Sequence, residues 1–219
     1  MKNNFERFQE MLLDFFDQNG VNISINPISL HEASKNDADK HHITYFYNRE
    51  EMPVLDMDEI AKKPYREARV LEEFEDTKDD IVNTADGFVI NKDNQWFLIE
   101  FKDTKIAGTK KSLKDNIIKK VYCNWYMLMD ILLNIAPEKR YYGFDYLNPI
   151  KFAKENVVYI LVCNSDNNPN VVNQIRNHRL KKEKYTPIFM QRLKEYVFMD
   201  AYVYTEIELE REFVKKFEY

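Results

Sequence analysis

The chain has 219 residues, enough for one substantial core, with 44% hydrophobic and 32% charged residues and a formal net charge of −5. A net negative charge excludes a uniformly basic nucleic-acid binder, so any such role must rest on local patches. There are four glycines and neither a G-x-G-x-x-G nor a G-x-x-x-x-G-K-[ST] motif, which argues against dinucleotide and P-loop folds.

Phe5, Phe8, Met11, Leu12, Phe15 and Phe16 recur at helical spacing, and Gly20 suits a stop. Residues 3–18 are therefore expected to form an amphipathic helix. The polar stretch 29–42 reads as a loop, and the β-branched and aromatic ITYFYN (43–48) as a strand. REEMPVLDMDEIAKK (49–63) is ambiguous. PYREARVLEEFED (64–76) fits a helix with Pro in its first turn. DIVNTADGFVI (80–90) and QWFLIEFKD (95–103) read as two strands, and the turn-rich NKDN between them predicts a hairpin.

A long helix is expected from about Ser112 to Asn134, with an apolar ladder of Leu113, Ile117, Val121, Trp125, Met129 and Leu132 or Leu133. NVVYILVCN (156–164) is a continuous apolar run, typical of a central strand covered on both faces. Residues 170–196 read as mostly helical with a break near Pro187, and FMDAYVY (198–204) as another strand. Thr205-x-x-Glu208 is a capping box that opens a final helix to about Phe217. No repeat or linker divides the chain. The expected architecture is one α/β domain over 1–219, with a central mixed β-sheet flanked by helices.

Cys123 and Cys163 form no C-x-x-C and read as buried small hydrophobes in a reducing compartment. The N-terminus alternates charged and apolar residues and so lacks a signal-peptide pattern, and no apolar run approaches spanning length. The expected location is the cytoplasm, away from membranes. His31, His41, His42 and His178 show no zinc-site spacing.

The strand WFLIEFK raises the functional question. Side chains alternate along a strand, so Trp96, Leu98, Glu100 and Lys102 share one face, with the charged pair at the C-terminal end, where α/β sheets often place ligands. A hairpin turning near Asp93 folds Asp86 back toward Glu100 and Lys102. Two carboxylates side by side repel unless a cation lies between them. Their hard oxygens suit Mg²⁺ or Mn²⁺, completed by waters and phosphate. A neighbouring lysine can serve the attacking water or stabilise charge on phosphate. The combination suits phosphodiester hydrolysis. The bland alternative is an exposed cross-strand salt bridge, which so apolar a strand disfavours.

Asp86 followed by Glu100-Phe101-Lys102 resembles the signature of the PD-(D/E)XK nuclease superfamily. The resemblance spans about residues 64–164 and implies a restriction-endonuclease-like α-β-β-β-α-β core. Residues 1–63 would be a helix and strand extension, and 165–219 a helix-strand-helix addition. By the same resemblance Asp86 and Glu100 bind the metal with the main-chain carbonyl of Phe101, and Lys102 serves the water. Many members also carry a Glu on the preceding helix. Of Glu67, Glu72, Glu73 and Glu75, Glu67 shares a face with Val70, Leu71 and Phe74. It reads equally well as a first-turn Glu stabilised by the helix dipole. Thr84-Ala85 stands where the family often has Pro. The first of the three core strands is either near Ile81–Asn83 or in ITYFYN. DNA is favoured over RNA as substrate, and a homodimer follows by the same analogy. The rival reading is a non-catalytic nucleic-acid or protein-binding module on this fold.

The segment 102–120 carries seven Lys against Asp103 and Asp115. Lys110, Lys111 and Lys114 are its expected nucleic-acid contacts, with Lys114 also near where the family places an extra Lys or Gln. Gly108-Thr109, just before the helix, could hold a phosphate. Arg176, Arg179, Lys181, Lys182 and Lys184 form a second basic group. Solvated helix faces are the ordinary meaning of such runs.

Overall fold

The computed structural model describes residues 2–36, 43–45, 47–48, 52–69, 82–106 and 111–219. The first helix, α1 (Asn4–Gln18), begins where expected because Asn3 and Glu6 cap it reciprocally: the Glu6 N–H donates to Asn3 Oδ1 and the Asn3 N–H to Glu6 Oε2. It buries the whole predicted aromatic face.

The region after it is less regular than the sequence suggests. Ser29 caps a single helical turn, Leu30–Ala33, inside the stretch read as loop. Of ITYFYN, Thr44–Tyr45 forms a two-residue strand, paired with Lys35–Asn36. The ambiguous segment resolves into a strand Pro53–Val54 and a helix α2 (Met57–Ile60) capped by Asp56. That helix continues through a π turn, Ala61–Tyr65, into Arg66–Ala68. Pro64 therefore lies within a helix already under way rather than in its first turn. The remainder of the expected helix, from Val70, lies outside the described residues.

The central sheet is mixed, with strands β1 (Gly87–Ile90), β2 (Trp96–Lys102), β3 (Val157–Cys163) and β4 (Asp200–Thr205) in that spatial order. β1 and β2 are antiparallel, and β2, β3 and β4 run parallel. The hairpin turn uses Asn94 at φ 59°, a left-handed conformation that Asn tolerates, and the side chain of Asn91 accepts from the Gln95 N–H at 2.8 Å. Beyond β1, Leu55 exchanges both backbone hydrogen bonds with Phe88, at 2.8 and 3.0 Å. Among the described residues the neighbour of β1 is thus Leu55, which follows Pro53–Val54, and not Val82, Asn83 or Thr44–Tyr45; Ile81 and Phe46 lie outside the described residues. Val54 approaches so closely that a Cβ at Gly87 would stand 3.3 Å from its Cγ2.

A crossover through α3 (Lys111–Asn134) and α4 (Pro149–Asn156) joins β2 to β3. All seven residues of β3 are buried, as its unbroken apolar sequence predicts. After β3 come α5 (Pro169–Leu180), a short helix Ile188–Arg192, β4, and α6 (Glu206–Glu212), capped by Thr205. Helices cover both faces of the sheet. Phe8 of α1 meets Phe88 and Trp96 at 5.0 Å between ring centroids on one face, and Phe213 meets Phe97 at 4.8 Å on the other. Among the described residues no helix is long and apolar enough to cross a membrane.

Candidate active site

Register builds the site. Gly87 pairs with Ile99 and Phe88 with Leu98, so one further step places Asp86 opposite Glu100 at the mouth of the hairpin. The Phe101 N–H donates to Asp86 Oδ2 at 2.6 Å, which fixes the carboxyl across the strand. Glu100 lies on the same face as Leu98 and is fully buried, while Lys102 closes the strand at the cleft and pairs with Glu100 Oε1 at 2.5 Å.

The fourth member comes from α3. Lys120 places its Nζ 3.3 Å from Asp86 Oδ1 and 3.0 and 3.1 Å from the two oxygens of Glu100. One ammonium thus bridges both carboxylates. The expected extra lysine, Lys114, is elsewhere: its Nζ lies 5.9 Å from the ring centroid of Phe189. The reason is helical phase. A ladder spaced strictly four residues apart drifts about 40° per step around an α-helix. The predicted ladder therefore slides toward the flank at Trp125 and Met129, which are half-buried, before its last member, Leu132, returns to the core, while Lys120 and Asn124 stand on the buried stripe with Ile117, Val121, Leu128 and Ile131.

A cleft of about 600 Å³ opens over these groups, lined by Asp86, Phe101, Lys102 and Lys120, and on its far wall by Asp56 and Asp58 of the α2 N-terminus. Thr84, itself buried, donates to Asp58 Oδ1 at 2.8 Å and holds that carboxylate toward the site. Glu67 is exposed and is not part of the cleft lining. The helix starts at Met57, not Pro64, and each π turn rotates the residues beyond it by roughly one residue's angle, about 100°. The acids presented to the cleft from this helix start are Asp56, Asp58 and Glu59, of which Thr84 holds Asp58. Their sequence signal was the spacing Asp56-x-x-Glu59, an N-cap pattern that marks a helix start. Tyr65 and Arg69 both donate to Asp130 Oδ2, at 2.7 and 2.6 Å, and tie this helix to α3, so the two walls of the cleft hold a fixed spacing.

Burial pushes the Asp86 carboxyl up to about 7, with the Glu100 carboxylate adding to the rise and Lys120 and Lys102 opposing it. Burial works against the Lys120 charge, but the carboxylates of Glu100, Asp86 and Asp58 outweigh it and hold the ammonium above the ordinary lysine range. Beneath the site, Asn124 is fully buried with neither side-chain atom hydrogen-bonded among the described residues, and the Tyr159 hydroxyl is equally unpartnered. Burial first, then Glu100 and Asp86, raise the Tyr159 phenol well above its usual range, so it stays protonated.

Among the described residues no three His, Cys, Asp or Glu side chains gather into a group able to hold a metal ion. Two carboxylates suffice for Mg²⁺ when waters and a substrate phosphate complete the shell. The position between Asp86 and Glu100 fits that requirement, since a cation, the Lys120 ammonium, already rests there. Of the expected nucleic-acid contacts, Lys111 is exposed at the start of α3, and Lys110, with Gly108-Thr109, lies outside the described residues. No family model, no curated protein and no solved structure matches this chain.

Proposed function

We propose that this chain is a metal-dependent nuclease that hydrolyses phosphodiester bonds, with DNA as its substrate and a PD-(D/E)XK-type core. The observation that carries the reading is the convergence of Asp86 and Glu100 on one cation position, with Lys102 beside them at the mouth of a cleft. The antiparallel β1–β2 pair and the adjacent parallel β3, reached through a long helix, support the core assignment. The Leu55 segment would be its third strand, although in this chain α2 comes between it and β1.

Asp86 and Glu100 would hold Mg²⁺ or Mn²⁺, with the carbonyl of Phe101. When bound, such an ion withdraws charge from a phosphoryl oxygen and acidifies water. The chain supplies the rest. The Phe101 N–H orients Asp86 and leaves its Oδ1 toward the cation position. Lys102, whose side chain is 20% exposed, reaches the cleft and places positive charge where the phosphate gains negative charge in the transition state. The exposed Lys111 at the start of α3 offers a backbone phosphate contact.

One observation favours a second reading, a binding module without catalysis. Two ammonium groups already balance two carboxylates, so the cluster is electrically complete as a structural ion-pair network. Calorimetry with Mn²⁺, alongside cleavage assays on single- and double-stranded DNA, separates the two. The nuclease reading expects Mn²⁺ binding and Mn²⁺-dependent cleavage, both lost in the Asp86→Ala, Glu100→Ala double variant. Wild-type protein that neither takes up millimolar Mn²⁺ nor cuts either DNA form overturns it.

A further inference from the structure

We propose that Lys120 is the resident counter-ion of this site: its ammonium occupies the place a divalent ion takes, so the ion binds by displacing it, and the freed ammonium turns to the phosphate in the same cleft. This rests on the nuclease reading and adds to it a residue with two successive positions.

The geometry makes the two cations mutually exclusive. Lys120 Nζ lies within 3.3 Å of Asp86 Oδ1 and of both Glu100 oxygens. A Mg²⁺ sharing those carboxylates would sit at about 2.1 Å from its oxygens. It would then press against the ammonium, with like charges in contact in a buried setting. Lys102 holds Glu100 Oε1 alone, at 2.5 Å, and has no contact with Asp86 among the described residues, so it is not the cation that bridges the two carboxylates.

The direction of displacement is set by what surrounds the side chain. On the helix Lys120 is flanked by the buried Ile117 and Val121, and Leu98, Tyr159 and Leu161, on the same face of the sheet as Glu100, are buried as well. These close the apolar side. The open side is the cleft, which Lys120 itself lines, and where Asp58 already attracts its charge. Lysine suits such a move, since its ammonium rides on a flexible four-carbon stem and is not fixed in a planar fork. The result is a site that stays charge-balanced without metal and gains a phosphate-facing cation once metal arrives.

The test is Mn²⁺ calorimetry on the full chain, comparing wild type with Lys120→Met, which keeps length without charge, and Lys120→Gln, which keeps a hydrogen-bond donor should the methionine variant not fold. Both variants are expected to bind Mn²⁺ at least about 10-fold more tightly, because no ammonium has to leave. At saturating Mn²⁺ they should cut DNA more slowly, because the relocated cation is missing. Tighter metal with slower turnover is a pair of opposite changes that a merely structural lysine does not produce. Unchanged or weaker affinity in a folded variant overturns the displacement and leaves the metal site standing. Absence of Mn²⁺ binding in wild type and variants alike overturns both.

Discussion

The N–H of Phe101 donates to Asp86 at 2.6 Å, so the strand that carries Glu100 and Lys102 also fixes the third charged residue of the site. Backbone register, not side-chain flexibility, holds the two carboxylates in mutual repulsion. Burial first, and the neighbouring Glu100 carboxylate second, raise the Asp86 carboxyl, and this makes stability depend on pH.

Asp86 moves from an ordinary 3.8 to about 7 in the folded protein, so between these values the native state binds more protons than the unfolded chain. Its contribution to stability is complete below pH 3.8 and is lost as pH rises through 7. Asp86→Asn cannot ionise and keeps an oxygen for the Phe101 N–H. In metal-free buffer this variant should match or trail wild type at low pH, gain on it as pH rises toward 7, and hold a constant lead above. Urea denaturation at a series of pH values in EDTA reads the difference directly; parallel curves would show that Asp86 is not strained.

How far the site could be read from sequence divides along physical lines. The hairpin was legible because β1 and β2 are apolar on both faces and joined by a turn-forming tetrapeptide. Once the hairpin is drawn, the proximity of Asp86, Glu100 and Lys102 follows from alternation alone. Lys120 was hidden because a lysine in a basic run reads as solvated, and because the four-residue ladder drifts away from the true buried stripe. Asp58 was hidden because MPVLDMDEIAKK packs a strand, a cap and a π-interrupted helix into a dozen residues, too few for either period to show. The pairing of Leu55 with Phe88 is a single bridge set by tertiary packing, and no local pattern announces it.

Lys102 is expected to separate binding from chemistry. It contacts only Glu100 among the site carboxylates and opens to the cleft. Lys102→Met should leave Mn²⁺ affinity within a few-fold of wild type and slow DNA cleavage by about 10²- to 10³-fold, the scale of losing one transition-state charge contact. Single-turnover cleavage at saturating metal measures the second quantity. A loss confined to metal affinity would reassign Lys102 to holding Glu100 in place.

Lys111 offers a test of the basic patch that does not touch the cleft. It is exposed, whereas Lys114 is half-buried and packs toward Phe189. If Lys111 contacts a phosphate, Lys111→Ala weakens DNA binding uniformly across sequences and lowers the slope of log affinity against log salt by about 1. Lys114→Ala should change the slope less. Fluorescence anisotropy on a labelled duplex between low and moderate salt, in Ca²⁺ or without metal so that cleavage is suppressed, gives both slopes. Identical slopes in wild type and Lys111→Ala would remove this lysine from the interface.

Asn124 sits one helical turn beyond Lys120 on the same buried stripe, fully enclosed, with its amide nitrogen and oxygen both unpartnered among the described residues. Tyr159, which pairs with Leu98 across the two parallel strands, is likewise fully buried with its hydroxyl unpartnered among the described residues. Enclosing an amide without hydrogen bonds costs about 1–3 kcal/mol, and leucine keeps the branched outline without polar atoms, although its methyl groups are bulkier than the amide. Asn124→Leu should therefore raise stability in metal-free buffer by at most about 1–3 kcal/mol, less whatever its larger side chain costs in packing. Should Asn124 and Tyr159 instead share a bound water, the leucine variant loses stability, and Tyr159→Phe alone does the same by leaving that water short of a partner. A double-mutant cycle on the two positions decides between these outcomes: additive gains mean two independent buried polar groups, and coupled losses mean a water that joins them beneath the carboxylates.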